Sequence, residues 1–283
     1  MRVLSIQSCV SYGHVGNSAA VFPMQRIGHE VMPVHTVVFS NHTGYGAWGG
    51  QLIGGDVIRD IVAGIDERGG LNDVELVLSG YQGGNDIGDA ILDAVALVRQ
   101  RNPQAIYACD PVLGSATSGC FVAPEVQTLI RDRVVPSADL ITPNQFELGF
   151  ITGTDPHSLE ETLASVDLVR AVGPATVLVT SVFRPDREAD TIEMLAVTGE
   201  GAWIVQTPKL AFKRNGSGDV AAALFASHFR GSGDAADALG KTAASVYELL
   251  HNTFEAEASE LLLIESQEAY VAPATRFDVR QVR

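Results

Sequence analysis

The chain has 283 residues, 46% hydrophobic and 19% charged, with a net charge of −15. That length buries a sizeable core, and the acidic balance argues against nucleic acid or an anionic membrane surface as the main partner. No run of 18 apolar residues marks a membrane span, and Cys9, Cys109 and Cys120 form no C-x-x-C pair, which excludes a disulfide framework and a thiolate zinc site and fits the reduced thiols of a cytoplasmic enzyme.

In chain order, short β-branched runs alternate with Ala- and Leu-rich stretches at helical spacing. The N-terminal residues Met1–Ser8 have too short an apolar run for a secretion signal and read as a first strand over Val3–Gln7. Ser18–Ile27 then reads as a helix, Val34–Phe39 as a strand, Val57–Glu67 as a helix and Glu75–Leu78 as a strand. The pattern continues with a helix over Ile87–Arg101, a strand over Ala105–Ala108, a helix over Pro124–Arg133 and a strand over Leu140–Thr142. Leu159–Val172 is a predicted helix and Val177–Thr180 a predicted strand. Thr191–Thr198 and Ala202–Gln206, joined by Gly199-Glu200-Gly201, predict a hairpin. Val220–Phe229 and Ala235–His251 predict two long helices in succession. Such alternation predicts an α/β fold, three layers deep, with a mainly parallel central sheet and an antiparallel addition near one edge. No Pro-, Gly- or Ser-rich linker divides residues 1–283, so one domain is expected.

In open α/β sheets, ligands bind beyond the carboxyl ends of the strands. Polar residues recur at those ends: Ser8, Ser40–Thr43, Ser79-Gly80-Tyr81, Asp110, Pro143–Glu147 and Thr180-Ser181. The sharpest local signal lies further on, where Asn215-Gly216-Ser217-Gly218-Asp219 runs into an apolar helix. Two glycines let the backbone approach a ligand and point successive amides into one space. The helix behind them adds unpaired N–H donors and the positive end of its dipole. A carboxylate at such an anion site, here Asp219, suits a general base that takes a proton from an attacking hydroxyl. The alternative is a Gly-rich turn with Asp219 as an N-cap. Asp110, before Pro111, and the Asn144 and Glu147 pair at a helix start suit oxygen ligation of Mg²⁺, which takes one or two carboxylates plus substrate phosphates. His14 and His42 read as hydrogen-bonded structural residues, Tyr81 as packing or as the face for a ring-shaped ligand, and Ser115–Phe121 as a small polar flap or surface loop.

Two nucleotide-binding readings fail. Gly240-Lys241-Thr242 ends like a P-loop, but position 235 is Ala and the segment lies inside an Ala-rich helix. Tyr12–Asn17 has two glycines without the dinucleotide pattern or the acidic residue that should follow.

Several segments together resemble the pyridoxal kinases of the ribokinase-like superfamily, over residues 3 to 250. These are Ile6-Gln7-Ser8, Tyr12-Gly13-His14-Val15-Gly16-Asn17, Phe39-Ser40-Asn41-His42-Thr43-Gly44-Tyr45, Ser79-Gly80-Tyr81, Cys109–Gly114, Thr142–Glu147 and Gly216-Ser217-Gly218-Asp219. The Phe39–Tyr45 segment is the most specific of them. The resemblance implies ATP-dependent phosphorylation of the 5′-hydroxyl of pyridoxal, leaving pyridoxine and pyridoxamine open as further substrates. It implies Asp219 as base and the Gly216, Ser217 and Gly218 amides as anion hole. Ser8, Thr43, Gly44 and Tyr81 would line the vitamin pocket. Asp110 and Glu147 would organise Mg²⁺ with Asn144, and a monovalent cation beside it. Thr142, Thr180, Arg214 and Asn215 would face the nucleotide, and a homodimer would form through the sheet edge. Three features depart from the family pattern: Cys9 stands where histidine is usual, Thr180 matches one branch while others carry lysine, and Lys209–Asn215 is short, so that Lys213 and Arg214 are set to reach a phosphate or adenine. The alternatives are a hydroxymethylpyrimidine kinase and a non-catalytic binder of phosphorylated vitamin B6.

Overall fold

The computed structural model describes residues 1–283. From the N-terminus the elements are β1 (Arg2–Val10), α1 (Asn17–Arg26), β2 (Glu30–Phe39), β3 (Gly50–Leu52), α2 (Gly55–Asp66), β4 (Val74–Ser79) and α3 (Asn85–Arg101). Next come β5 (Ile106–Cys109), the two-residue strands β6 (Gly114–Ser115) and β7 (Gly119–Cys120), α4 (Pro124–Leu129), α5 (Val135–Ser137) and β8 (Leu140–Ile141). The chain closes with α6 (Gln145–Thr152), α7 (Leu159–Arg170), β9 (Thr176–Val182), β10 (Thr191–Val197), β11 (Ala202–Pro208), α8 (Ser217–Ser232), α9 (Ala235–Glu255), α10 (Glu268–Val271) and β12 (Val279–Gln281).

Ten strands form one sheet in the order β12-β11-β10-β9-β8-β5-β4-β1-β2-β3. The six from β9 to β2 run parallel, as the alternating pattern predicts. Their residues divide between two apolar layers: on β4, Val74 and Val77 face one cluster while Leu76 and Leu78 face the other. A parallel sheet covered on both faces needs this near-continuous apolar character, and each fully buried Val or Leu contributes roughly 1.5–3 kcal/mol relative to exposure. Helices α1, α8 and α9 cover one face, and α2, α3, α4, α6 and α7 the other.

The order also fixes where a ligand belongs. After β1 the chain moves outward to β2, and after β4 it moves the opposite way to β5. The loops leaving β1 and β4 therefore diverge, and the crevice between them is the switch point at which open α/β sheets bind ligands.

The hairpin expected at residues 191–206 is present as β10 and β11. Two further antiparallel strands, β3 beside β2 and β12 beside β11, have no signature in the sequence pattern. Each is three residues long, too short for an alternation of apolar and polar positions. The helix expected over Pro124–Arg133 holds α geometry only to Leu129 and widens into a π turn over Ile130–Val134. Pro136 lies just beyond, where its missing N–H offers no bond to the carbonyl of residue 132.

Candidate active site

The loop ahead of α8 carries the main feature. Gly216 is the N-cap of α8 in a left-handed conformation, φ +91°. A Cβ there would strike the carbonyl of His14 and approach the Leu261 side chain to 3.2 Å. Glycine is thus required both by the turn and by the close pass of the loop after β1. The N-cap Gly216 brings no side chain to cap the first turn of α8, and a Cβ on Gly218 would meet nothing within 4 Å. The first turn thus has no N-cap side chain over its N–H donors at the positive end of a sixteen-residue helix.

Asp219 sits in that first turn, half-buried. Burial pushes its carboxyl up to about 6, and the Gly16 amide and its own amide offset part of the effect. A carboxylate poised near neutrality in a cleft is matched to taking a proton from a hydroxyl.

Two more carboxylates stand close enough to interact with it. Asp110, at the end of β5, is 8% exposed and receives a hydrogen bond from Thr142 Oγ1 at 3.2 Å. Burial, then the charges of Glu147 and Asp219, hold its carboxyl well above the ordinary range. Glu147, 5% exposed, is pushed up to about 7 by burial. Its Oε1 accepts from the amides of Leu113 at 2.9 Å and Gly114 at 3.2 Å, and its Oε2 from the amide of Asn144 at 2.9 Å. Asn144 closes the motif: its Oδ1 accepts from the Glu147 amide at 3.0 Å, and its Nδ2 donates to the Gly114 carbonyl at 2.9 Å. This capping box bolts the start of α6 to the base of the β6–β7 flap. Thr180, on the neighbouring strand β9, donates its amide to the Pro143 carbonyl at 3.0 Å. Thr142, Asn144 and Thr180 thus line one edge beside the carboxylates.

The other half of the crevice lies between β1, β2 and β4. Ser8 is buried at an irregularity in β1, where the register shifts between Gln7 and Cys9. The left-handed Gly16 packs directly on it. Tyr81, half-buried after β4, packs its ring against the core, and its carbonyl accepts from Thr36 Oγ1 at 2.8 Å. Thr43 and Gly44 lie in an exposed 3₁₀ turn, Thr43–Tyr45. His42 Nδ1 accepts the Gly44 amide at 3.1 Å, and His14 Nδ1 lies 3.2 Å from the Ser18 carbonyl, so both histidines have the structural partners expected of them.

Arg214 lies in the loop just ahead of α8. Its guanidinium donates to the Ala258 carbonyl at 2.8 Å and the Lys213 carbonyl at 2.9 Å and lies 4.9 Å over the Phe212 ring, tied to the C-terminal segment. Lys213 reaches the flap instead, donating to Thr117 Oγ1 at 3.3 Å. One residue that the sequence patterns do not reveal is Glu260, which accepts a hydrogen bond from the Tyr45 hydroxyl. Its signal is purely tertiary, because it lies beyond residue 255, past every motif.

Amides without an N-cap side chain at a helix N-terminus, a carboxylate of raised proton affinity in the same turn, buried acidic residues beside it and a polar crevice at the switch point fit a ribokinase-like, ATP-dependent small-molecule kinase. Residues 87–262 match the family described as phosphomethylpyrimidine kinase. A pyridoxal kinase PdxY of Leifsonia xyli subsp. xyli is 64% identical over 282 residues, covering 100% of both chains. One from Corynebacterium diphtheriae is 59% identical over 282 residues, again 100% of both. The solved pyridoxal kinase of Leishmania donovani in complex with ADP and ginkgotoxin superposes with a TM-score of 0.92 at 28% identity, covering 100% of this chain and 99% of that one. The chain belongs to the pyridoxal kinase family.

Proposed function

We propose that this chain transfers the γ-phosphoryl group of ATP to the 5′-hydroxyl of pyridoxal, with Asp219 as base. The observation that carries this reading is the position of the Asp219 carboxylate in the first turn of α8, beside uncapped amides at the switch-point crevice. The 5′-oxygen gives its proton to Asp219 and attacks the γ-phosphorus, and the bond from phosphorus to the β-bridging oxygen breaks. The amides of Gly216, Ser217 and Gly218 receive the charge on the transferring group. Phosphoryl transfer asks little covalent work of a protein; alignment and charge stabilisation carry it. Ser8, Thr43, Gly44 and Tyr81 hold the vitamin, Tyr81 by its ring.

Asp110 and Glu147 fit a divalent cation: two buried carboxyls with raised proton affinity and no cationic side chain paired to either. Asp110 offers the freer oxygens, since Glu147 already accepts three amides. Mg²⁺ held there would neutralise the phosphate charge. Thr142, Asn144, Thr180 and Asn215 face the nucleotide, with a monovalent cation near Asp110 as the further part of this reading. A homodimer through the β3 edge is supported by the exposed Val38, Leu52, Val57 and Ile61. A cytoplasmic setting is consistent with the lack of any helix long and apolar enough to cross a membrane. The whole chain acts as one domain, as a sheet that gathers strands from both termini suggests.

The Leishmania donovani enzyme has also been solved with pyridoxine and with pyridoxamine, which supports these as further substrates. The description of the matched family keeps hydroxymethylpyrimidine as the second reading. Release of ADP from MgATP, measured in parallel with pyridoxal, pyridoxine, pyridoxamine and hydroxymethylpyrimidine, separates them. Turnover fastest with pyridoxal supports the reading; turnover with the pyrimidine alone overturns it.

A further inference from the structure

The segment after α9 crosses to the open side of the crevice on a fixed backbone. Leu261 and Leu263, each 1% exposed, pack with residues of α1 and α8. The Leu262 amide donates to Thr253 Oγ1 at 3.2 Å, and Arg214 holds the Ala258 carbonyl. Glu260 is therefore presented from an anchored strap. Its carboxylate accepts the Tyr45 hydroxyl and lies against Gly13, whose φ of +84° and missing side chain make the room. Its charge also acts on His42. The Tyr45 ring stands 6.5 Å from that of Tyr12. One carboxylate thus joins the loop after β1 and the Thr43–Tyr45 turn.

The turn itself is exposed, and its other ties are local ones, from the Gly44 amide to His42 Nδ1 and from Asn41 Nδ2 to the Ala47 carbonyl. Tyr45 is 47% exposed, and every residue from Thr43 to Ala47 is exposed. An exposed turn that carries two vitamin-facing residues has to open for the ligand and to close over it. We infer that Glu260 is a positioning residue that latches this turn shut through Tyr45, setting the affinity for the vitamin without taking part in phosphoryl transfer. The inference rests on the reading that Thr43 and Gly44 line the vitamin pocket. A tyrosine hydroxyl donating to a carboxylate is a charge-assisted bond and stronger than a neutral pair; it breaks on opening without exposing any apolar core.

Steady-state kinetics of the full chain test the latch. Glu260→Ala and Tyr45→Phe should each raise KM for pyridoxal about tenfold, the loss of one charge-assisted hydrogen bond, with kcat and KM for MgATP within about twofold of wild type. Glu260→Gln retains an acceptor oxygen and should recover most of the affinity. The double variant should be no worse than either single one, since both remove the same bond. An unchanged KM for pyridoxal, a parallel loss of kcat and of nucleotide affinity, or additive effects in the double variant would overturn the latch. Wild-type turnover of pyridoxal with unaffected variants overturns the latch alone, whereas a wild type inactive on pyridoxal overturns the assigned substrate and the latch with it.

Discussion

At the end of the crevice proposed for phosphate, Asp110 and Glu147 are 8% and 5% exposed, and Glu147 is pinned by three backbone amides. At the end proposed for the vitamin, Thr43, Gly44 and Tyr45 are exposed, and their turn is held by side chains: His42, Ser40 with Asn41, and Glu260. One end is fixed by main-chain geometry in a dry setting, the other by exchangeable polar contacts in water. Charge stabilisation gains most where dipoles are preorganised and water is excluded. Recognition of a small ring needs a part that lets it in. The difference shows how one sheet edge serves both demands.

Substitutions at the two ends should differ accordingly. Glu147→Ala leaves the amides of Leu113, Gly114 and Asn144 without their acceptor. At about 1–3 kcal/mol for each buried donor left unpaired, and with water relieving some of them, denaturant unfolding should show a loss of roughly 3 kcal/mol. A loss below about 1 kcal/mol would mean that water already reaches this end, and the contrast would fail.

The pH response sharpens the same contrast. Asp219 and Glu147 have folded-state values raised to about 6 and about 7, and Asp110 is raised as well, burial being the first cause of each. The folded chain therefore holds protons on these carboxyls that the unfolded chain releases. Their contribution to stability is largest below the unfolded carboxyl values and falls as pH rises through about 6 to 7. A cation binds the deprotonated group. Magnesium with ADP should accordingly raise the melting temperature more at pH 8 than at pH 5.5, and the reverse order would remove the acidic pair from cation binding.

The smallest effect belongs to the exposed turn. Ser40 Oγ accepts the Gly49 amide at 2.9 Å and donates to Asn41 at 2.6 Å, but water can replace both. Ser40→Ala should lower stability by only about 0.5–1 kcal/mol. A cost equal to that of Glu147→Ala would show the turn to be as rigid as the phosphate end.

The sequence is most legible where the physics is local. The parallel strands announce themselves by β-branched runs, and the turn into α8 by two glycines before an apolar helix, because backbone freedom depends on a few consecutive residues. Asn144 and Glu147 also read correctly as a helix start, but their bonds to the flap at Leu113 and Gly114 are long-range. Strands β3 and β12 are too short for a period, and their pairing is dictated by the neighbouring strand. The bond from the Arg214 guanidinium to the Ala258 carbonyl, 44 residues away, is likewise invisible to the local pattern. Glu260 has no local signal, since only the burial of Leu261 and Leu263 carries it over the crevice.

The central claim is that Asp219 takes the proton of the attacking hydroxyl. Its most direct test is the turnover of Asp219→Asn with pyridoxal and MgATP, measured beside nucleotide binding. The account predicts a fall in kcat of roughly 10²–10⁴-fold, the usual contribution of a positioned acid–base group, with ATP affinity nearly intact. Unchanged turnover with intact binding would contradict it and take Asp219 out of the chemistry.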